Sequence, residues 1–440
     1  MNPNIKHYLT LPHFDNIACY THARSRAFAR SLARSLAHSP APAPLPVNTT
    51  YRITAADLDS YTAVAAWNGS VIIDTTMRLP GDQSAPLIVA HTTAAVQRLG
   101  WGGNGVEGVE QGNEPDLFYE NGIRPPAYNY AAYAADFAAS SAALSRAYPG
   151  RRVQGATWCS DKWSQADFAD YVSRFNATFS SISLHRYAAS VCRNDKATIE
   201  ELMADKAAAG LAATLVPAAA LARAAGVPLR VGEGNSVSCG GAAGVSDVWA
   251  AALWVVDALF SVAAVGVERW AFHGMPAGAY ATFAWPDIAT DTPQVRPLYY
   301  GFLAFATAIK GGGARLHTVK TLHSSNVFIK AWAVVTPGGE TRVVLLHKDP
   351  AAGLANASVT VAGAARLAGA ARLVRGLPGA AGIRSAYSDA ISWAGQTWRS
   401  TTDGRPSGAP VEEAVPAGAA GDFTIALPPA SIAVLTLPMA

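Results

Sequence analysis

Two glutamates carry the chemistry that this sequence offers. Glu114 stands in Val109-Glu110-Gln111-Gly112-Asn113-Glu114-Pro115-Asp116, and Glu233 in Leu229-Arg230-Val231-Gly232-Glu233-Gly234-Asn235-Ser236. Each follows a short apolar run punctuated by Gly or Pro, the pattern of a strand that ends in a loop. Two carboxylates at strand ends are what cleavage of a glycosidic bond requires: one protonates the leaving oxygen and the other attacks the sugar carbon. Alone, Asn-Glu-Pro is a moderate signal and a strand-end acid a weak one; as a pair on two strands of one barrel they are far more specific. Asn113 can donate its amide to a sugar 2-hydroxyl, a contact that tightens in the oxocarbenium-like state. Between the glutamates, His185-Arg186-Tyr187 closes another strand. His185 and Tyr187 either pack at the rim or fix the nucleophile or a sugar hydroxyl, and His273 and Tyr280, past the last strand, have the same two readings. Gly240-Gly241 is either a plain loop or a pair of exposed amides for an anionic group.

The elements that would position these residues alternate. Apolar strands at about 70–74, 106–111, 152–156, 182–185, 229–233 and 267–273 are separated by helical stretches at about 54–67, 87–98, 128–147, 164–175, 198–225 and 246–264, with a last helix at about 295–309. This spacing means parallel βαβ units, and the polar candidates fall where strands end, as on the C-terminal face of a (β/α)8 barrel. Gly311-Gly312-Gly313 ends the alternation, and period-two strands at 328–334, 341–346, 357–361 and 432–437 follow. The expected fold is therefore α/β: a (β/α)8 TIM-type barrel over 54–311, lacking its first one or two βα units, then a C-terminal antiparallel β-sandwich over 312–440.

Composition bounds the function. The chain has 440 residues, 50% hydrophobic and 15% charged, which suits a large buried core. A net charge of +3 without a basic stripe excludes a nucleic-acid partner. Val248 to Val267 is nearly long enough to span a bilayer, but Asp257 at its centre makes it a buried barrel helix, so no membrane span is expected. Gly100-Trp101-Gly102-Gly103-Asn104-Gly105 matches a dinucleotide fingerprint by letter, yet it follows a helix and precedes a strand, the reverse of what that motif needs. No His/Cys spacing suggests a metal, so no metal and no cofactor are expected, nor any obligate protein partner. Asn48, Asn68, Asn176 and Asn356 are glycosylation acceptors by pattern. Residues 1–53 form an atypical basic segment with Arg24, Arg26, Arg30 and Arg34; it reads as a transit-peptide-like stretch or the product of a wrong gene start, without a recognisable signal peptide.

Taken together, these motifs resemble glycoside hydrolase family 79, the β-glucuronidase and heparanase-like family of clan A. The likeness is carried by Glu110-Gln111-Gly112-Asn113-Glu114-Pro115-Asp116-Leu117, Ser183-Leu184-His185-Arg186-Tyr187, Gly232-Glu233-Gly234-Asn235-Ser236 with Gly240-Gly241, and Ile391-Ser392-Trp393-Ala394-Gly395-Gln396-Thr397 with Asp403-Gly404. The resemblance implies a retaining β-glucuronidase with Glu114 as acid/base, Glu233 as nucleophile and Asn113 on the 2-hydroxyl. The Gly240-Gly241 amides and Tyr280 would hold the uronate carboxylate. It implies an exo-acting enzyme that removes terminal glucuronate or its 4-O-methyl form from a glycan, and a secreted or extracellular location. The alternatives are an endo-β-glucuronidase or another clan A glycosidase, and a truncated inactive chain that at most binds carbohydrate. The chain departs from the family in residues 1–50, where two βα units would stand, and at Gly234, where Thr or Ser is common; the glycine is expected to loosen the hydrogen bonding around Glu233. Cys192 and Cys239, in loops after adjacent strands, are expected to pair.

Overall fold

The computed structural model describes residues 53–438 apart from 67–68, 152, 193–194, 275–276, 286–292, 322–326, 350, 352, 361–368, 400 and 402. The expectations for residues 1–52, Asn48 included, lie outside the described residues, as does Asn68.

The first half alternates as the spacing requires: α1 (Ala55–Ala65), β1 (Val71–Thr75), α2 (Gly81–Leu99), β2 (Val106–Gln111), α3 (Tyr130–Ala147), β3 (Val153–Trp158), α4 (Gln165–Phe175), β4 (Phe179–His185), α5 (Ile199–Met203), α6 (Ala209–Ala224), β5 (Leu229–Gly234), α7 (Trp249–Ala264) and β6 (Val267–Phe272). The six strands form one sheet in the order β1-β2-β3-β4-β5-β6, every pair parallel. All their C-terminal ends therefore meet on one rim. The sheet is curled: Arg269 on β6 reaches across the concave face to Glu107 on β2, 2.7 Å away, and Arg230 on β5 meets the same carboxylate at 2.7 Å. Burial pushes Glu107 up, but Arg230, the Ser70 hydroxyl and Arg269 outweigh it, and its carboxyl sits below the ordinary range.

Local signals set most boundaries. Thr54 and Ser164 close capping boxes with Asp57 and Asp167 and start α1 and α4. Two boundaries depart from expectation. The helix expected from residue 87 starts at Gly81 and carries Pro86 inside it, and Gly81 N–H donates to Asp136 at 2.7 Å. The long helix expected over 198–225 is broken at Ala204, which is extended, with a 3₁₀ turn over Asp205–Ala207 before α6. Alanine-rich propensity is overridden here by packing, since the Ala207 carbonyl accepts the Trp254 indole N–H at 2.9 Å.

The apolar run 248–267 is α7, buried on every side from Trp249 to Val262. Asp205–Ala224 is long and apolar enough to cross a membrane by length and composition, yet it lies beside α7 with Leu211, Leu215, Ala218 and Ala222 buried. After β6, a short β7–β8 ribbon (Phe283–Ala284 with Gln294–Val295) leads into α8 (Pro297–Ile309).

The C-terminal part is antiparallel. Strands β9 (Arg315–His317), β10 (Ile329–Val335), β11 (Thr341–His347), β13 (Ala371–Leu377), β14 (Ser392–Trp393) and β17 (Ile432–Thr436) form one sheet in the order β14-β13-β17-β11-β10-β9, with β15 (Glu413–Val415) on β13. Strands β12 (Ala355–Val359) and β16 (Phe423–Leu427) form a second, two-stranded sheet. Its central strands, β11 and β17, are buried on both faces. Val343, Leu345, Ala433 and Leu435 pack with Phe423 and Ile425 of the small sheet, while Val344, Leu346, Ile432 and Val434 join the barrel's core. The period-two reading found β10, β11, β12 and β17 but missed β13 and β16 and the short strands β9, β14 and β15. Among the acceptor sites, Asn176 and Asn356 are exposed.

A fully buried ion pair joins the two parts. Asp257 in α7 and Lys348 after β11 lie 2.7 Å apart with both side chains fully buried, and the Trp332 indole donates to the other carboxylate oxygen at 3.0 Å. Removing one partner strands the other charge in the core. Asp257→Ala is expected to cost about 3–5 kcal/mol in urea unfolding, whereas the double change Asp257→Leu with Lys348→Met is expected to cost far less.

Candidate active site

Glu114 leaves β2 through a left-handed turn. Gly112 has φ 86° and Glu114 itself φ 53°, a conformation an L side chain adopts only when its surroundings impose it. Here they do: Gly112 N–H donates to the Thr75 carbonyl at 2.8 Å, Thr157 donates to the Gly112 carbonyl, and Pro115 opens a 3₁₀ turn. The result turns the Glu114 carboxyl over the rim, 20% exposed. Asn113 beside it is half-buried.

Glu233 is held inside β5 by its neighbours on both sides. Arg186 N–H donates to its carbonyl at 2.9 Å, and His273 N–H donates to the Gly234 carbonyl at 3.0 Å. The parallel register puts His185 opposite Glu233. The His185 ring, with no exposed side-chain surface, places Nδ1 2.9 Å from Glu114 Oε1 and 3.8 Å from Glu233 Oε2. One atom from each of Glu114, His185 and Glu233 lies within 4.8 Å of the other two. This grouping has the composition of a divalent-cation site, which sequence spacing does not reveal.

A second set of groups faces Glu233 from the other side. The Tyr187 hydroxyl donates to Glu233 Oε1 at 2.7 Å, and His273 Nδ1 lies 3.3 Å from the same oxygen. That ring nitrogen is 2.7 Å from the Tyr187 hydroxyl and 3.0 Å from the Tyr280 hydroxyl. Burial, then the Glu233 charge, pushes the Tyr187 hydroxyl far above the ordinary tyrosine range, so it stays a donor at every accessible pH; Tyr280 is raised by the same two causes. The Gly240 carbonyl accepts from Ala279 N–H at 2.6 Å. Gly241, at φ 83°, packs flush there: a Cβ would sit 2.6 Å from the Tyr280 nitrogen.

All nine sequence candidates thus lie at the ends of β2, β4, β5 and β6 or in the loops that follow. Of the two readings of His185, the geometry has the one away from the rim: the buried ring lies between the carboxylates. At Gly234 a Cβ would meet the Arg186 carbonyl oxygen at 2.1 Å and the Trp270 indole nitrogen at 2.8 Å. The expected disulfide between Cys192 and Cys239 is present.

Three residues escaped sequence reading. Asn235, fully buried, donates to the His273 carbonyl at 2.9 Å and the Tyr280 carbonyl at 3.2 Å, fixing the loop that carries both rings. Asp116 accepts from the Ser160 amide at 2.7 Å and hydroxyl at 2.6 Å, and burial raises it above the ordinary carboxylate range despite those bonds. That tie sets the Cys159 thiol against Glu114; burial, then Asp116 and Glu114, keeps the thiol protonated. The signal for Asn235 and Asp116 was present, a polar residue two positions beyond each glutamate. Nothing in the sequence marks Cys159.

A curled parallel sheet with two carboxylates on its C-terminal rim and an antiparallel domain behind it is the fold of barrel glycoside hydrolases. Over 86% of its length, and 79% of the other's, the chain superposes on a 4-O-α-L-rhamnosyl-β-D-glucuronidase from Fusarium oxysporum 12S, with TM-score 0.71 and 20% identity. It also superposes on a GH51 arabinofuranosidase from Xanthomonas axonopodis pv. citri, TM-score 0.62 and 15% identity, over 94% and 89% of the two chains. In sequence, 135 residues are 34% identical to a β-glucuronidase of Neurospora crassa, a stretch that is 28% of this chain and 24% of that relative. The match thus spans about a quarter of the fungal protein's length. No protein-family model matches the chain.

Because Gly234 has no room for a side chain, Gly234→Ala is expected to lower stability by about 3 kcal/mol in urea unfolding. An unchanged midpoint would show that the Arg186 backbone can yield.

Proposed function

We propose that the chain is a retaining exo-β-glucuronidase that removes terminal glucuronate, or its 4-O-methyl form, from glycans. The observation that carries this reading is the closeness of Glu114 and Glu233, whose oxygens lie within 4.8 Å. Carboxyl groups about 5–5.5 Å apart leave no room for the water that an inverting mechanism places between sugar and base. The names of the Neurospora and Fusarium relatives support glucuronate as the sugar.

On this reading Glu114 gives its proton to the leaving oxygen while Glu233 attacks the anomeric carbon. The aglycone departs as an alcohol, and a glycosyl ester forms on Glu233. Glu114, now ionised, takes a proton from water. That water attacks the same carbon, breaks the ester and frees Glu233. The environments suit the roles. Glu233 is nearly enclosed and accepts the Tyr187 hydroxyl, whereas Glu114 is more open and can exchange protons with water. Asn113 stands beside the acid/base for the 2-hydroxyl, and the Gly240-Gly241 amides with Tyr280 take the carboxylate. The exposed Cys192–Cys239 disulfide supports an oxidising, extracellular setting.

The test is hydrolysis of 4-nitrophenyl β-D-glucuronide, with the matching glucoside and xyloside as controls. The reading expects cleavage of the glucuronide alone, a β-anomer as first product by NMR, and no activity in Glu233→Ala. Tyr187→Phe is expected to lower kcat by about a hundredfold. A chelator is expected to leave the rate unchanged; loss of activity that a divalent cation restores would instead assign the Glu114–His185–Glu233 cluster to a metal. Cleavage of the xyloside or glucoside would move the chain to another glycosidase class, and no cleavage of any would favour a chain that only binds carbohydrate.

A further inference from the structure

We propose that the Cys192–Cys239 disulfide positions the hydrogen-bonded relay that holds Glu233. The proposal rests on Glu233 being the nucleophile of the reaction proposed above.

The argument begins with the backbone. Cys239, Gly240 and Gly241 have φ of 57°, 95° and 83°, three consecutive residues on the left-handed side. Glycine adopts this freely, but Cys239 does so only under constraint. One constraint is the disulfide, which ties Cys239 in the loop after β5 to Cys192 in the loop after β4. The two loops are already zipped by backbone bonds, Ala189 N–H to the Ser236 carbonyl at 3.0 Å and Ser238 N–H to the Ala189 carbonyl at 3.0 Å. The zipper stops at Ser238, one residue short of the left-handed turn, and the disulfide is the next link. On the far side of the turn, Ala242 N–H donates to the Ser246 hydroxyl at 3.1 Å. The turn is thus pinned at both ends.

What the turn holds is the relay. Gly240 holds the Ala279 amide through its carbonyl, and Gly241 leaves no gap against the Tyr280 backbone. From the Tyr280 hydroxyl the contacts run to His273, to Tyr187 and to Glu233 at 3.0, 2.7 and 2.7 Å. Breaking the disulfide frees Cys239 to leave its left-handed conformation, and the turn then withdraws from Tyr280. Both cysteines are exposed, so a soluble reductant reaches the bond directly. Reduction by a dithiol opens it: two electrons and two protons pass to the sulfurs, and the reductant becomes the cyclic disulfide.

The test uses the full chain in three forms: oxidised wild type, wild type reduced with dithiothreitol, and Cys192→Ser with Cys239→Ser. On 4-nitrophenyl β-D-glucuronide the reduced and double-serine forms are expected to lose about ten- to a hundredfold in kcat. Tyr280→Phe separates positioning from general loosening. If the disulfide acts through Tyr280, reducing the Tyr280→Phe variant costs little beyond that substitution alone. Losses that multiply, or no loss in either disulfide-free form, overturn the proposal. A second measurement does not depend on the sugar. Amide hydrogen exchange at Ala279 and Gly240 is expected to quicken on reduction while exchange within α7 stays the same. Unchanged exchange at Ala279 overturns the clamp. A wild type that cleaves no glucuronide yet shows the quickened exchange leaves the clamp standing and removes the glucuronidase reading.

Discussion

The structure depends on one requirement: α7 is apolar all round and must be covered on every side. A helix of this kind cannot lie on a barrel's surface. The barrel covers one side of it with α5, α6, α8 and β6, and the antiparallel sheet covers the other through Val344, Leu346, Ile432 and Val434. Asp257, at the middle of the apolar run, is tolerated because Lys348 and Trp332 come from that sheet to meet it. A pair like this adds little net stability over an apolar pair, but the charges fit in only one arrangement, so it fixes how the two parts join. The ends of α8 and β11 are tied in the same way: Arg342 donates to the Thr307, Ala308 and Lys310 carbonyls at 2.8 to 3.1 Å, satisfying the open end of the helix.

The position of α7 carries directly into the site. Its first turn follows the segment in which Ser246 holds Ser236 and Ala242, so the exit of β5 is anchored where the helix begins. Its last turn leads into β6, whose end bears His273. The two flanks of the Glu233 environment are therefore set by opposite ends of one buried helix. The Glu114 side is built differently. It relies on a left-handed exit from β2 and on Asp116, which binds the loop after β3, so the local strain at Glu114 is offset by hydrogen bonds made two residues away. The two carboxylates meet because two independent constructions converge on the His185 ring.

Buried polar groups do much of this work. Asn235, Asp116, His185 and Tyr187 each make their contacts in the interior or at its margin, where a missing partner is costly. Such groups specify geometry more sharply than apolar packing does, because their partners must sit at a fixed distance and direction.

The sequence by itself determined the order of elements, the parallel class of the first half and the place of both glutamates at strand ends. Those follow from hydrophobic period, Gly and Pro punctuation and capping residues, all of which act over a few positions. It also marked 248–267 as a core helix through the single acid in the run. What it did not contain was anything that arises between distant residues. Strand β13 escaped because Arg372 and Arg375 interrupt its apolar run; β16 alternates cleanly, Phe423, Ile425 and Leu427 inward, and was legible in the sequence but not read. The break at Ala204 was decided by Trp254, fifty residues on in the chain. The role of Gly234 was decided by the Arg186 carbonyl, which no local rule places beside it. Whether His185 sits at a rim or between two acids, whether Tyr187 reaches Glu233, and which thiol lies against Glu114 all depend on strand register and on how far the sheet curls. Register and curl are set by packing the whole core, so only the tertiary structure decides them.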